Sequence, residues 1–115
     1  MPTLEQCRRV TVAEGLQRIP GRAGQRSVAL LNHGTLEVKL SAPRGINEQT
    51  PHTRDEVYVV MDGEGFLWCD GDRQRFSPGD LLFVPSGAEH RFEDFTDNLT
   101  VWVIFYGPEG GERTV

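Results

Sequence analysis

Three side chains carry the chemistry this sequence offers: His52, Glu56 and His90, in a chain with three histidines in all. Two imidazoles and one carboxylate make a donor set that suits a divalent metal and leaves coordination positions open. Open positions are what separates a catalytic metal site from a structural one. Glu56-Val57-Tyr58-Val59-Val60-Met61 is a β-branched and aromatic run that stops at Asp62-Gly63, the composition of a strand ending in a turn. Side chains alternate along a strand, so His52, Glu56, Tyr58 and Val60 share one face if the segment is extended from residue 52. The second block repeats the arrangement. Leu81-Leu82-Phe83-Val84 is a short apolar strand, Pro85-Ser86-Gly87 is a turn, and His90 and Phe92 resume on one face.

The spacings are as informative as the residue types. Glu56 is followed after six residues by Gly63, and Gly79 leads at fixed intervals to Pro85, Gly87 and His90. These two blocks resemble the two motifs of the cupin superfamily, in the manner of its small single-domain bacterial members, over residues 26–108. The first family motif runs Gly, five residues, His-x-His, three or four residues, Glu, six residues, Gly. On it His52 stands as the second histidine, Glu56 as the glutamate and Gly63 as the last glycine, while Gly45 lies one residue too close. The second motif runs Gly, five residues, Pro-x-Gly, two residues, His, three residues, Asn. Gly79, Pro85, Gly87 and His90 fall on it, and Asp94 replaces the asparagine.

The resemblance implies an all-β fold, the cupin double-stranded β-helix or jelly-roll-like barrel, binding one divalent metal ion (Fe, Mn, Ni or Zn) through His52, Glu56 and His90. It also implies oxygenase- or isomerase-like chemistry on a small organic molecule, or alternatively a non-catalytic binding or sensing module, and pairing of two chains through a sheet. Thr50 stands where the family has its first histidine, so the ligand set is poorer by one nitrogen. Thr50 offers only a hydroxyl, whereas Gln49 has an amide oxygen of longer reach. Two readings of Gln49 stand: a weaker fourth metal ligand, or a side chain that hydrogen-bonds a loop. Glu56 is expected to act as a ligand more than as a free base, because coordination ties up its lone pairs. No residue is assigned a catalytic role beyond the ligand set.

The remaining polar residues have plainer expectations. His33 precedes Gly34 at an apparent hairpin and reads as a turn or surface residue. Asp55 points away from Glu56 in an extended strand and is expected in solvent, Asp94 is expected to make a hydrogen bond at the barrel end, and Cys69 reads as an ordinary strand thiol. Phe66, Trp68, Phe83, Phe92 and Trp102 are the candidate pocket walls, with plain core filling the alternative for each, since sequence does not say which of them face the interior.

Length bounds the rest: 115 residues leave room for one domain with one core. With 12 Lys and Arg against 17 Asp and Glu, and no basic cluster interleaved with aromatics, nucleic acid is not an expected partner. No apolar run approaches the roughly 18 residues of a membrane span, and the first residues have neither the basic nor the apolar region of a signal peptide. Two cysteines fit a reduced compartment, so the expectation is a cytoplasmic protein without membrane contact.

Residues 1–25 form an N-terminal segment in which Thr11-Val12-Ala13-Glu14 has the form of a capping box and starts one short helix ending before Pro20. Strands are expected over Ser27 to Leu31 and Thr35 to Ser41 around Asn32-His33-Gly34, and over Gly65 to Asp70 and Arg73 to Phe76 around Gly71-Asp72. Two more follow over Glu89 to Phe95 and Thr100 to Tyr106, and residues 109–115 read as a flexible tail. Val101, Val103 and Phe105 alternate with Trp102, Ile104 and Tyr106, so the last strand is apolar on both faces. Such a strand needs a second sheet or a partner chain, and a homodimer is expected.

Overall fold

A computed structural model describes residues 6–45, 47 and 49–113. Thr11 caps the one helix, α1 (Val12–Gln17), its side chain accepting from the Glu14 amide at 3.1 Å. Eight strands follow among the described residues: β1 (Ser27–His33), β2 (Leu36–Ser41), β3 (Asp55–Asp62), β4 (Gly65–Cys69), β5 (Asp72–Phe76), β6 (Leu81–Val84), β7 (His90–Glu93) and β8 (Thr100–Tyr106). They form two antiparallel sheets, β1-β2-β8-β3-β6 and β5-β4-β7, that face each other as the all-β barrel anticipated from the motifs. None of the described helices is long and apolar enough to cross a membrane.

Alternation decides what each strand buries. Tyr58 and Val60 of β3, Leu82 and Val84 of β6, and Val101 and Val103 of β8 point inward from the larger sheet. They meet Leu67, Phe76 and Phe92 from the smaller one. Burial of these apolar side chains, at roughly 25 cal/mol per Å² removed from water, is the main term holding the sheets together.

Several expectations need correction. In the first hairpin the strands run on through Asn32 and His33, and the turn is at Gly34-Thr35. The second tight turn is Asp70-Gly71, one residue earlier than expected, and both residues have positive φ (48° and 90°), as a two-residue hairpin of the favoured twist demands. Of the five expected pocket walls only Phe92 faces the core. Phe66 and Trp68 share the outer face of β4, under the guanidinium groups of Arg73 and Arg91. Phe83 alternates with buried Leu82 and Val84, and Trp102 with buried Val101 and Val103. Strand parity, set by which neighbour is buried, overrode aromatic character.

Asp55 is not in solvent: at 5% exposure its carboxylate accepts from the Ser86 amide (3.0 Å) and the Glu112 amide (2.8 Å). The same contact brings in the C-terminal segment, which is hydrogen-bonded as far as Glu112. The Gly110 amide donates to the Thr53 carbonyl at 2.7 Å, and the Thr53 hydroxyl reaches the Glu109 carboxylate. Thr114, Val115 and the first five residues lie outside the described region.

Helix α1 lies across the outer face of β1 and β2. Gly15 permits that approach, because a Cβ there would stand 2.4 Å from Cδ2 and 2.8 Å from Cβ of fully buried Leu40. Ala in place of Gly gains about 1 kcal/mol of helix propensity, whereas overpacking costs about 1–3 kcal/mol. Gly15→Ala is therefore expected to lower stability in urea unfolding, and a more stable variant would show that the contact does not constrain the helix.

Candidate metal centre

His52 sits in the irregular approach to β3, and its position is set from the second motif. The Gly87 amide donates to the His52 carbonyl at 2.7 Å, and Gly87 has φ of 78°, a conformation that glycine adopts without strain. Beside it, the Ser86 amide binds Asp55, while Glu56 pairs in register with Val84 at the end of β6. The Pro85-Ser86-Gly87 turn is thus fastened to His52 itself and to Asp55, the neighbour of Glu56. After the turn the chain enters the smaller sheet at His90, which pairs with Cys69 of β4.

Three donors converge as a result. Nε2 of His52 is 2.8 Å and Nε2 of His90 is 3.3 Å from the same Glu56 oxygen, and the two rings are 4.9 Å apart. One ligand atom from each of the three residues lies within 4.8 Å of the others, a grouping that could hold a metal ion. Glu56 and His90 are each 2% exposed and His52 is half-buried, its ring edge-on to Phe105 at 4.8 Å.

The hydrogen bonds decide which nitrogen is free. Nδ1 of His52 lies 2.8 Å from the Arg54 carbonyl, and Nδ1 of His90 lies 3.0 Å from the Ala88 carbonyl. A carbonyl only accepts, so each Nδ1 carries the hydrogen, and each neutral ring presents a bare Nε2 to Glu56. Nε2 of His90 is buried without a hydrogen-bond partner among the described residues. A buried carboxylate faced by two lone pairs requires a positive charge between or upon them, either a proton or a metal ion. The residues therefore fit a divalent cation. Burial works against a charged His90, but the Glu56 carboxylate and the Ala88 carbonyl outweigh it and raise the imidazole above its usual value of 6.5.

Gln49 and Tyr58 form the next layer. The Tyr58 hydroxyl donates to the Gln49 amide oxygen at 2.8 Å, and the Gln49 amide nitrogen donates to Asn47 at 2.6 Å. Asn47 in turn accepts from the Phe92 amide at 3.1 Å. Burial, with the Glu56 charge, pushes Tyr58 well above 10, so it remains a neutral phenol that donates. Thr50 is exposed. A cavity of about 300 Å³ opens beside Glu56, with Tyr58, Phe92, Val103 and Phe105 on its wall. Tyr58 and Phe105 were not among the expected walls; the parity that puts Glu56 inward also puts Tyr58 inward, and pairing of Phe105 with Glu56 adds the second.

Asp94, in place of asparagine, accepts from Arg73 at 2.6 Å and has φ of 48°, a conformation Asp and Asn share. Cys69 is half-buried in β4, its thiol pushed up by burial and by Asp70 and Asp72. His33 ends β1 on the surface, as its neighbouring glycine suggested.

The cupin-domain family profile matches residues 36–106. Together with the two-sheet barrel and the clustered His52, Glu56 and His90, this defines the class: the chain belongs to the cupin family. It is 33% identical over 97 residues to a gentisate 1,2-dioxygenase from Streptomyces sp, covering 72% of this chain and 27% of that protein. It is 38% identical over 65 residues to an acireductone dioxygenase from Bacillus mycoides, covering 51% of this chain and 38% of that one. The chain spans between 27% and 60% of the length of such curated relatives. The fold is shared with a Cupin 2 conserved barrel domain protein from Salinispora arenicola, at a TM-score of 0.65 and 20% identity over 91% of both chains.

Since Asp55 holds the turn that places His52, its removal should loosen the site as well as the fold. Asp55→Ala leaves the partly buried Ser86 amide without its acceptor, at about 1–3 kcal/mol, and releases the exposed Glu112 to water, and Asp55→Asn, which keeps an acceptor oxygen, should cost less. Urea unfolding that finds both variants as stable as the parent would show that the clamp is not needed.

Proposed function

We propose that this chain is a metal-dependent cupin acting on a small organic molecule. One divalent ion is held by His52, Glu56 and His90, with the amide oxygen of Gln49, through its second lone pair, a weaker fourth candidate. The observation behind this reading is the convergence on one Glu56 oxygen of Nε2 of His52 and of the buried Nε2 of His90, which has no hydrogen-bond partner among the described residues. Such an ion supplies Lewis acidity and open positions for a substrate oxygen, and iron in particular supplies reactivity with dioxygen. The protein's own residues do the positioning. The Arg54 and Ala88 carbonyls fix both ring tautomers, Tyr58 offers a phenolic O–H held in place by Gln49, and Phe105 shields one side of His52. Similarity to two proteins named as dioxygenases favours the oxygenase form over the isomerase form.

A second reading, a non-catalytic binding or sensing module, is favoured by one observation. Among the described residues lining the cavity, Glu56 is the sole carboxylate and there is no imidazole, so no carboxylate or imidazole base is left there once Glu56 is a ligand. Elemental analysis of protein purified without metal-affinity resin, followed by dioxygen uptake, separates the two. Iron with uptake supports an oxygenase, whereas zinc or no metal supports an isomerase or a binding role.

His52→Ala and His90→Ala are each expected to abolish stoichiometric metal, with Gln49→Ala weakening affinity less; full occupancy in both histidine variants would remove the assignment. Metal requires neutral imidazole, and His90 holds its proton above the usual 6.5. Apparent metal affinity should therefore begin to fall on acidification while the pH is still above that value. For the metal-free fold the sign reverses. The His90–Glu56 contact contributes its full stability below the ordinary imidazole value and loses it as pH rises through the raised one. An NMR pH titration of the metal-free protein that finds the His90 imidazole at or below its ordinary value would contradict the raised imidazole.

The outer face of β3, β6 and β8 supports a homodimer. Met61, Leu81 and Phe83 are 44%, 65% and 52% exposed there, beside Val57, Val59 and Ile104. Val103 is buried toward the cavity and is not part of this face. Sedimentation at micromolar concentration is expected to give twice the 12.9 kDa of the chain, and Phe83→Asp to return it to one. A parent protein that sediments as a monomer would overturn the dimer.

A further inference from the structure

The cavity beside Glu56 concentrates positive charge in a chain that is acidic overall, with a net charge of −5. Arg26, Lys39 and Arg44 line the same cavity of about 300 Å³ as Glu56. Lys39 belongs to the inner face by register: it pairs with Val103 of β8, which pairs with Tyr58 of β3. The row crosses two strand spacings, so Lys39 and Tyr58 are about 10 Å apart across the sheet. Arg26 donates through Nε to the Ala42 carbonyl at 2.9 Å, which anchors the side chain and leaves both Nη groups for another acceptor. Arg44 donates to the Pro43 carbonyl at 2.8 Å.

No carboxylate among the described residues pairs with any of these three cations. Elsewhere the pattern is different. Arg54 meets Glu37, Arg73 meets Glu93 and Asp94, and Arg91 meets Glu93. Cations gathered in a partly enclosed cavity repel one another and give up hydration, and an anion that enters reverses both costs. Glu56 does not serve, because its charge faces the two histidines. The facing walls, Phe92, Val103 and Phe105, are apolar. The volume lies at the lower end for ligand sites and suits one ring or a short chain.

We propose that the cavity binds a small organic acid, its carboxylate held by Lys39 and Arg26 with Arg44 at the rim, its apolar body against Val103 and Phe105, and its far end toward Glu56. This names the substrate class of the site described above, and it rests on the metal reading only for the far end.

The test is a calorimetric and NMR titration at low ionic strength of the full chain, both as purified and after chelation. The probes are salicylate, its uncharged amide salicylamide, and inorganic phosphate. Salicylate is expected to bind saturably in both preparations, with shifts at the amides of β2 and β8, and salicylamide at least about tenfold more weakly. Lys39→Met and Arg26→Met should each weaken salicylate about tenfold, and Lys39→Arg should retain it. Lys39→Gln replaces the methionine variant if that chain does not fold.

Equal affinity for salicylamide, tighter binding of phosphate than of salicylate, shifts confined to other strands, wild-type affinity in the lysine and arginine variants, or no saturation by ~10 mM would each overturn the proposal. Stoichiometric metal without Lys39-dependent salicylate binding overturns the organic-acid site alone. Lys39-dependent binding in a chain that takes up no metal overturns the metal reading alone.

Discussion

The site depends on one clamp between two stretches of chain that are distant in sequence. The Gly87 amide on the His52 carbonyl and the Ser86 amide on the Asp55 carboxylate fasten the Pro85-Ser86-Gly87 turn to the entrance of β3. His52 and Glu56 lie on one side of that joint and His90 on the other, so the distance between the two imidazoles is set by two backbone donors. Glu112 adds a second amide to the same carboxylate and closes the chain over it. Gly111 must come so close that a Cβ would stand 3.0 Å from Asp55 and 2.9 Å from Ser86, and its φ of 86° suits glycine.

What the clamp assembles is unfavourable for folding when considered alone. A carboxylate and a histidine, each 2% exposed, lie beside aromatic rings, with one ring nitrogen lacking a hydrogen-bond partner among the described residues. Each of these groups loses hydration that the protein replaces only in part. The barrel tolerates this because the apolar layer from Val60, Val84, Val101 and Leu99 lies immediately beyond it, fully buried. Polar function at one end of the inner space and close packing at the other are consequences of the same strands, whose inward positions change from Glu56 to Tyr58 to Val60 along β3.

The two outer faces are treated differently. On the smaller sheet, Phe66 and Trp68 are roofed by Arg73 and Arg91 with guanidinium carbons 3.7 and 4.1 Å from the ring centroids, and carboxylates hold those arginines in place. Such stacking keeps large rings out of water without a second layer. On the larger sheet, helix α1 covers β1 and β2 through Leu40 and leaves the β3-β6-β8 region bare. The apolar alternation of β8 on both faces thus has two separate explanations: the barrel core on one side and an uncovered surface on the other.

Much of this was legible in the residues alone. Period-two alternation and turn residues located every strand to within a few positions, the Thr11–Glu14 pattern located the helix, and the motif spacing singled out His52, Glu56 and His90, because a strand's faces and a turn's φ angles are local properties. Other features depend on what lies across the barrel. Asp55 looked solvent-facing because alternation says only that it opposes Glu56; the turn after β6 and the returning chain made that face an interior. Phe66, Trp68, Phe83 and Trp102 looked like pocket walls because an aromatic side chain does not specify its side of a sheet. The gathering of Arg26, Lys39 and Arg44 around one cavity was invisible in sequence, since only the pairing of β1, β2 and β8 and the path after Ser41 bring those charges to the same space as Glu56. Local chemistry marked the candidate donors, while non-local register chose their surroundings.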